Sequence, residues 1–223
     1  MKTLFEQIGD VTIPTGQGEL HGNLDVPENA TGNVLFAHGS GSSRHSPRNR
    51  FVAEVLREGG FATLLMDLLS EDEESIDLQT TRLRFDIALL AERLLYAMDW
   101  LQENPATHDL RVGIFGSSTG AGAALVAAAM RGETVKAVVS RGGRPDLAGL
   151  STLEIVRAPT LFIVGGNDVS VIELNRQAME KMSGETRLEI IPRATHLFEE
   201  PGSLEEVSRL ATQWFQTHLT SSH

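Results

Sequence analysis

Val112-Gly-Ile-Phe-Gly-Ser-Ser-Thr-Gly-Ala-Gly122 decides the fold. Val112–Phe115 is short and apolar, Gly116-x-Ser118-x-Gly120 is a tight turn, and Ala121 to Met130 is alanine-rich and helix-forming. A serine with a glycine two residues to either side, between a strand and a helix, has the form of a nucleophile elbow. Such a serine must sit in a strained turn so that its hydroxyl points out of the sheet edge, and the flanking glycines keep side chains out of the neighbouring strand and helix. The helix that follows presents its amino end to developing negative charge. A phosphate-binding loop is excluded because neither G-x-x-x-x-G-K-[ST] nor an ordered G-x-G-x-x-G occurs here, which leaves a plain βα turn as the alternative.

Outward from this turn, apolar runs alternate with helix-period segments, the pattern of a parallel sheet covered by helices on both faces. The expected inner strands are Val34–Ala37, Ala62–Leu68, Val112–Phe115, Ala137–Ser140, Leu161–Val164 and Leu188–Ile191. Their unbroken apolar character suits strands buried on both faces. Leu20, Gly22, Leu24 and Val26 alternate with polar residues and predict one strand of an antiparallel edge hairpin with the Val11–Ile13 region. Ser46-Pro47 starts a helix that Gly59-Gly60 ends, and Ser170/Glu173 and Ser203/Glu206 have capping-box spacing. A buried stripe of Leu83, Ile87, Leu90, Leu94, Met98 and Leu101 predicts a helix over 82–101, closed by Asn104-Pro105. The run Ser70–Asp77, with five carboxylates, is expected to be a solvated loop at the carboxyl edge of the sheet. No repeat or linker divides the chain, so residues 1–223 are expected to form one α/β domain.

Serine needs a base, and the base needs an orienting carboxylate, in the chain order Ser…Asp/Glu…His. Of the seven histidines, His196 follows the last expected strand and precedes the terminal helix. Asp168 ends Leu161-Phe-Ile-Val-Gly-Gly-Asn-Asp168, and Asp146, after the preceding strand, competes with it. The oxyanion of a tetrahedral intermediate needs two backbone N–H donors. Thr119, after the nucleophile, offers one, and Ser40, in Phe36-Ala-His-Gly-Ser-Gly-Ser42, is the best candidate for the other. His38 reads as a structural hydrogen-bonding residue, and no histidines stand at metal-motif spacing.

With these residues in hand, the chain resembles an α/β-hydrolase, and within that superfamily the compact dienelactone-hydrolase-type members. His38-Gly39, Gly116-x-Ser118-x-Gly120, Asp168 and His196 carry the resemblance, in order along essentially the whole chain. It implies a mostly parallel sheet of about eight strands with no separate lid domain, and hydrolysis of esters, lactones or related acyl compounds by a Ser118–His196–Asp168 triad. The chain departs from dienelactone hydrolase in having serine where that enzyme carries cysteine. It also resembles hydrolase modules found joined to phosphoribosyltransferase domains.

The 223 residues hold 19 basic and 30 acidic side chains, a net charge of −11, which argues against nucleic acid as a partner. The absence of cysteine excludes disulfides, thiolate metal sites and a cysteine nucleophile. Glu6 and Asp10 interrupt any apolar signal core, and no apolar stretch reaches the roughly 20 residues that span a bilayer, so a cytoplasmic protein without membrane contact is expected. No metal or organic cofactor is expected, and the partner is a small-molecule ester or lactone. Arg44, His45, Arg48 and Arg50 follow the glycine loop, and Arg141 and Arg144 follow the strand beside the elbow strand. Arg141, Arg144 and Arg44 are candidates to recognise an anionic substrate, or else these arginines pair with Glu71–Glu74. An acyl thioesterase and an inactive binding protein on a hydrolase scaffold are the competing functions.

Overall fold

The computed structural model describes residues 5–16 and 18–220. Eight strands, β1 (Phe5–Thr15), β2 (Gly18–Pro27), β3 (Asn33–Ala37), β4 (Ala62–Met66), β5 (Val112–Ser117), β6 (Val135–Arg141), β7 (Thr160–Gly165) and β8 (Thr186–Ile191), form one sheet in the order β1-β2-β4-β3-β5-β6-β7-β8. The β1–β2 and β2–β4 pairings are antiparallel and the rest are parallel, with Leu20 opposite Ile13 in the edge hairpin. Seven helices connect and cover the strands: α1 (Pro47–Glu58), α2 (Glu71–Thr80), α3 (Ile87–Glu103), α4 (Thr119–Met130), α5 (Leu150–Ile155), α6 (Val169–Met179) and α7 (Ser203–Leu219). No helix among the described residues is long and apolar enough to cross a membrane.

Strand parity builds two cores. Leu35, Ile114, Val138 and Phe162 belong to the core shared with α3 and α4, whereas Phe36, Phe115, Val139 and Ile163 belong to the core under α1 and α7. Successive side chains of a strand point to opposite faces, so an unbroken apolar run fills both layers at once. The parallel strands then share one carboxyl edge, where the loops after β3, β5, β7 and β8 meet.

Local signals act as the sequence suggests at some helix ends. Ser46 caps α1 by accepting the Asn49 amide at 3.4 Å, Pro47 occupies its first position, and Gly60 turns the chain away with φ 87°. Others are corrected. The capping-box spacings at Ser170/Glu173 and Ser203/Glu206 go unused: Asp168 and Gly202 stand at the N-cap positions, leaving both serines already helical. The helix expected over 82–101 begins at Ile87, with Asp86 accepting the Leu89 amide at 3.1 Å, and residues 83–85 form a separate 3-10 turn. The reason is Asp77, buried on α2, which accepts the amides of Leu83 at 2.7 Å and Arg84 at 3.1 Å and the Arg84 Nε at 2.5 Å.

The largest correction is α2 itself, a helix where the charge run suggested a loop. Ser70 accepts the Glu73 amide at 3.3 Å, and the Glu73 carboxylate accepts the Ser70 amide at 2.8 Å, a complete capping box. Four acidic side chains in the first turn complement the positive helix end. Glu73 also accepts from Arg93 of α3 at 2.5 Å, and Arg93 is buried. We predict that Glu73→Ala lowers unfolding stability by about 2–4 kcal/mol, through loss of the cap and of the nearer partner of a buried guanidinium, which keeps only Glu92 at 3.8 Å. Glu71→Ala, at an exposed carboxylate 3.7 Å from His21, should change stability by less than about 0.5 kcal/mol. Urea denaturation of both variants checks the contrast.

Candidate active site

Ser118 sits between β5 and α4 with φ 49° and ψ −119°, a conformation that a non-glycine residue adopts only under constraint. The constraint is close packing on both sides. A Cβ at Gly116 would lie 2.5 Å from the Ala121 Cα, and one at Gly120 would lie 2.3 Å from the Ala37 carbonyl oxygen and 2.4 Å from that of His38. Both flanking positions therefore exclude every other residue type at this backbone geometry. Ser118 is further fixed by its amide, which donates to the Arg141 carbonyl at 3.2 Å, and by its carbonyl, which accepts from the Arg144 amide at 3.1 Å.

The structure brings Ser118, His196 and Asp168 together. His196 Nδ1–H donates to Asp168 Oδ2 at 2.6 Å, and the Ser118 hydroxyl donates to His196 Nε2 at 3.3 Å. Asp168 is mostly buried and His196 is about 39% exposed at its side chain, so the imidazole faces the solvent side while the carboxylate does not. The loops after β7 and β8 are tied to each other, which sets this geometry. Asn167 donates its amide to the Ala194 carbonyl at 2.9 Å and its side-chain Nδ2 to that of Arg193 at 2.8 Å. The backbones approach so closely that a Cβ at Gly165 would lie 2.4 Å from the Ala194 oxygen. Glu200, missed in the sequence reading, accepts the Thr195 amide at 3.1 Å and steadies the His196 loop, and the bonds around Thr195 hold its carboxyl below the usual range. Asp146 is drawn elsewhere: Arg144 donates to its two oxygens at 2.8 and 2.7 Å.

Thr119 opens α4, so its amide has no acceptor within the helix. The Ser40 amide donates at 2.8 Å to the Thr119 hydroxyl, a contact the sequence did not announce, which joins the two expected oxyanion donors directly. Gly39 lies against Ser118, with a Cβ there 3.2 Å from the Ser118 Cβ. His38 holds the same loop by donating from Nδ1 to the Gly39 carbonyl at 2.9 Å and accepting the Leu68 amide on Nε2 at 3.1 Å. That pattern requires the neutral ring, and burial pushes its pKa down despite the Gly39 bond and the nearby Asp67 and Glu74 charges. Its contribution to stability is present above the ordinary value of 6.5 and is lost as pH falls below it.

Beside Gly39 and Ser40 opens a cleft of about 550 Å³, walled by Arg48, Leu68, Leu78 and Leu90. Glu74 and Asp77 of α2 line it beside Leu78, so the segment expected to be a loop is one wall of the cleft. The arginines do not pair with the acidic run as the sequence suggested. Arg44 is bound to Asp67, Arg144 to Asp146, and Arg48 reaches Glu199 at 3.5 Å, while Glu73 is taken by Arg93. Arg141 is buried and has no ion-pair partner among the described residues. No cluster of three or more potential metal-ligating acidic or histidine side chains occurs among them either.

The family model of the Dienelactone hydrolase family matches residues 26–219. The crystal structure of dienelactone hydrolase from Anabaena variabilis superimposes with a TM-score of 0.92 at 63% identity, covering 94% of this chain and 97% of that one. Est1E from Butyrivibrio proteoclasticus has the same fold, with a TM-score of 0.79 at 18% identity over 94% of this chain and 98% of its own. Curated proteins of two Mycobacterium tuberculosis strains, both named "Putative phosphoribosyl transferase", are 57% identical over 210 residues. Those residues are 94% of this chain but 46% of the relatives, so the chain spans less than half their length.

The glycine contacts generate a direct test. Gly120→Ala places a methyl group inside the contact distance of two carbonyl oxygens, and we predict a stability loss of about 1–3 kcal/mol or more from overpacking, read as a lower urea midpoint. Gly149→Ala, where φ is 81° but nothing lies within 4 Å of the added Cβ, separates backbone strain alone from the collision.

Proposed function

Because the chain belongs to the dienelactone hydrolase family, we propose that it is a serine hydrolase cleaving an ester or lactone through Ser118, His196 and Asp168. The observation that carries this reading is the relay from Asp168 through His196 to a serine held at φ 49° on the sheet edge. In the reaction, Ser118 Oγ attacks the acyl carbon and its proton passes to His196 Nε2. Asp168 keeps the other ring nitrogen protonated and stabilises the imidazolium that forms. The oxyanion takes up the amide of Thr119 and that of Ser40, whose present bond to the Thr119 hydroxyl is exchanged for one to the substrate. The imidazolium protonates the leaving alcohol, and His196 then activates water to release the acid from Ser118. None of these steps calls for a metal or organic cofactor.

The name of the mycobacterial relatives is not carried over, since the chain matches only 46% of their length and a serine–histidine–carboxylate relay is not what transfer of a phosphoribosyl group requires. The cleft beside Gly39, with Leu68, Leu78 and Leu90 in its wall, is the place for the acyl or alcohol part of a small molecule.

Intact-mass spectrometry after exposure to an alkyl fluorophosphonate tests the reading. One adduct is expected on the wild type and none on Ser118→Ala or His196→Ala. In steady-state ester hydrolysis, Asp168→Asn should lower kcat by about 10³- to 10⁴-fold, since the wrong tautomer is then favoured. Asp146→Asn should leave kcat unchanged. A folded wild type that takes no adduct would overturn the proposal in favour of a binding protein on a hydrolase scaffold.

A further inference from the structure

Strand β8 ends the sheet, so one side of its backbone has no strand beside it. Its pairing with β7 fixes which groups are left over. The Thr160 amide donates to the Glu185 carbonyl and the Gly166 amide to that of Ile191, each at 2.8 Å, at the two ends of a ladder that sets Leu161 opposite Arg187 and Ile163 opposite Glu189. In a parallel pair alternate residues turn both backbone groups towards the neighbour, so Arg187, Glu189 and Ile191 face β7. The N–H and C=O groups of Thr186, Leu188 and Ile190 then face outward, and no backbone hydrogen bond from another part of the described chain reaches them. Such a row of donors and acceptors is a template for another strand.

Parity divides the side chains along this edge. Leu188 and Ile190 belong to the α6 face, where Leu188 packs against Val164, Val171 and Ile172 while Ile190 stays 38% exposed. Arg187 and Glu189 belong to the opposite face. There α7 lies over β5, β6 and β7, and beside β8 it leaves a groove of about 550 Å³ lined by Glu185, Arg187, Trp214 and His218. Arg187 Nε donates to Glu189 Oε1 at 2.6 Å within the strand. With side chains about 60% and 30% exposed, this pair is within reach of charges arriving from the open side. An edge that repels other strands carries charges of one sign or a proline, whereas this one carries one charge of each sign.

Turned about a two-fold axis through Leu188, the strand is its own complement. Leu188 then lies opposite the partner's Leu188 and Thr186 opposite the partner's Ile190, and both pairs exchange N–H···O bonds through the groups that face outward. Arg187 falls opposite the partner's Glu189, in a non-hydrogen-bonded pair, where facing side chains come closest. The ion pair of each strand thereby joins its symmetry mate in one network of four charges, which holds better than an isolated surface pair. A register centred on Arg187 or on Glu189 sets like charges opposite each other instead, so charge selects the centre. We propose that the open edge of β8 is a self-complementary interface through which two copies of this chain form an antiparallel dimer, with one sheet continuous across both.

The interface does not depend on the hydrolase reading, and sedimentation velocity over a concentration series up to about 100 μM tests it. The wild type is expected at twice the 24.2 kDa of one chain. Arg187→Glu and Glu189→Arg each put like charges opposite each other at two symmetry-related positions, and each should raise the dissociation constant by about ten-fold or more. The double swap, R187E with E189R, should return it to the wild-type value. An equimolar mixture of the two single variants should form a mixed dimer, since one copy then presents only carboxylates at these positions and the other only guanidinium groups. Thr186→Pro removes an outward N–H that β7 does not use, and should weaken the dimer while the circular dichroism spectrum stays that of the wild type. A wild type of one-chain mass throughout the series, single swaps that leave the dimer unmoved, or a double swap that does not restore it would overturn the interface.

Discussion

The distance between the first turn of α4 and the loop after β3 is the constraint on which the site depends. At Gly120 the backbones are so close that even a methyl group would fall 2.3 Å from a carbonyl oxygen. This approach brings Ser40 within 2.8 Å of Thr119 and Gly39 against Ser118, so the candidate nucleophile and both expected oxyanion donors are located by one packing contact. It also makes the strain at Ser118 sustainable. A φ of 49° costs on the order of 1–3 kcal/mol, and it persists because the strand behind and the helix ahead are buried in two cores that leave the turn no other path. The placement of Ser118 is thus a consequence of core packing two layers deep as well as of the backbone bonds of the serine itself.

A second close approach, at Gly165, performs the same service for His196 and Asp168. His196 and Asp168 lie 28 residues apart, yet their loops share backbone hydrogen bonds and a contact that admits only glycine. The parallel pairing of β7 with β8 brings both strands to the same edge in register, with Gly165 opposite Ile191. Since β5, β7 and β8 all belong to the parallel part of the sheet, a change in strand register would misplace Ser118, Asp168 and His196 and turn both cores inside out. Stability and site geometry are coupled through that register.

Features with local physical causes were legible in the sequence. The elbow announced itself because its glycines answer to a steric demand within five residues, and Ser46-Pro47 and Gly59-Gly60 delimit α1 because caps act over a single turn. The candidate triad could be drawn from chain order and strand ends alone. Capping-box spacing was a poorer guide, because it does not say which residue first leaves the helical conformation: Ser203 is already inside α7, and the unheralded box at Ser70 and Glu73 is the one that forms. Helix α2 escaped notice because it has almost no apolar stripe, and its only buried residue is Asp77. The ion pairs were illegible for a different reason. Arg44 and Asp67 are 23 positions apart, and Arg48 and Glu199 are 151 apart, so pairing depends on a fold that charge composition does not encode.

The way α2 is held also accounts for the charge balance of the cleft. With Ile76 about 55% and Leu78 about 72% exposed, apolar burial contributes little to fixing this helix, and polar anchors replace it. Glu73 engages Arg93 and its own cap, and Asp77 engages Arg84 and two amides of the following turn. These anchors draw their cations from α3 and from the turn before it, not from the glycine loop or from β6. Glu73 and Asp77 are therefore neutralised from their own side, whereas Glu74, which also lines the cleft, has no ion pair among the described residues.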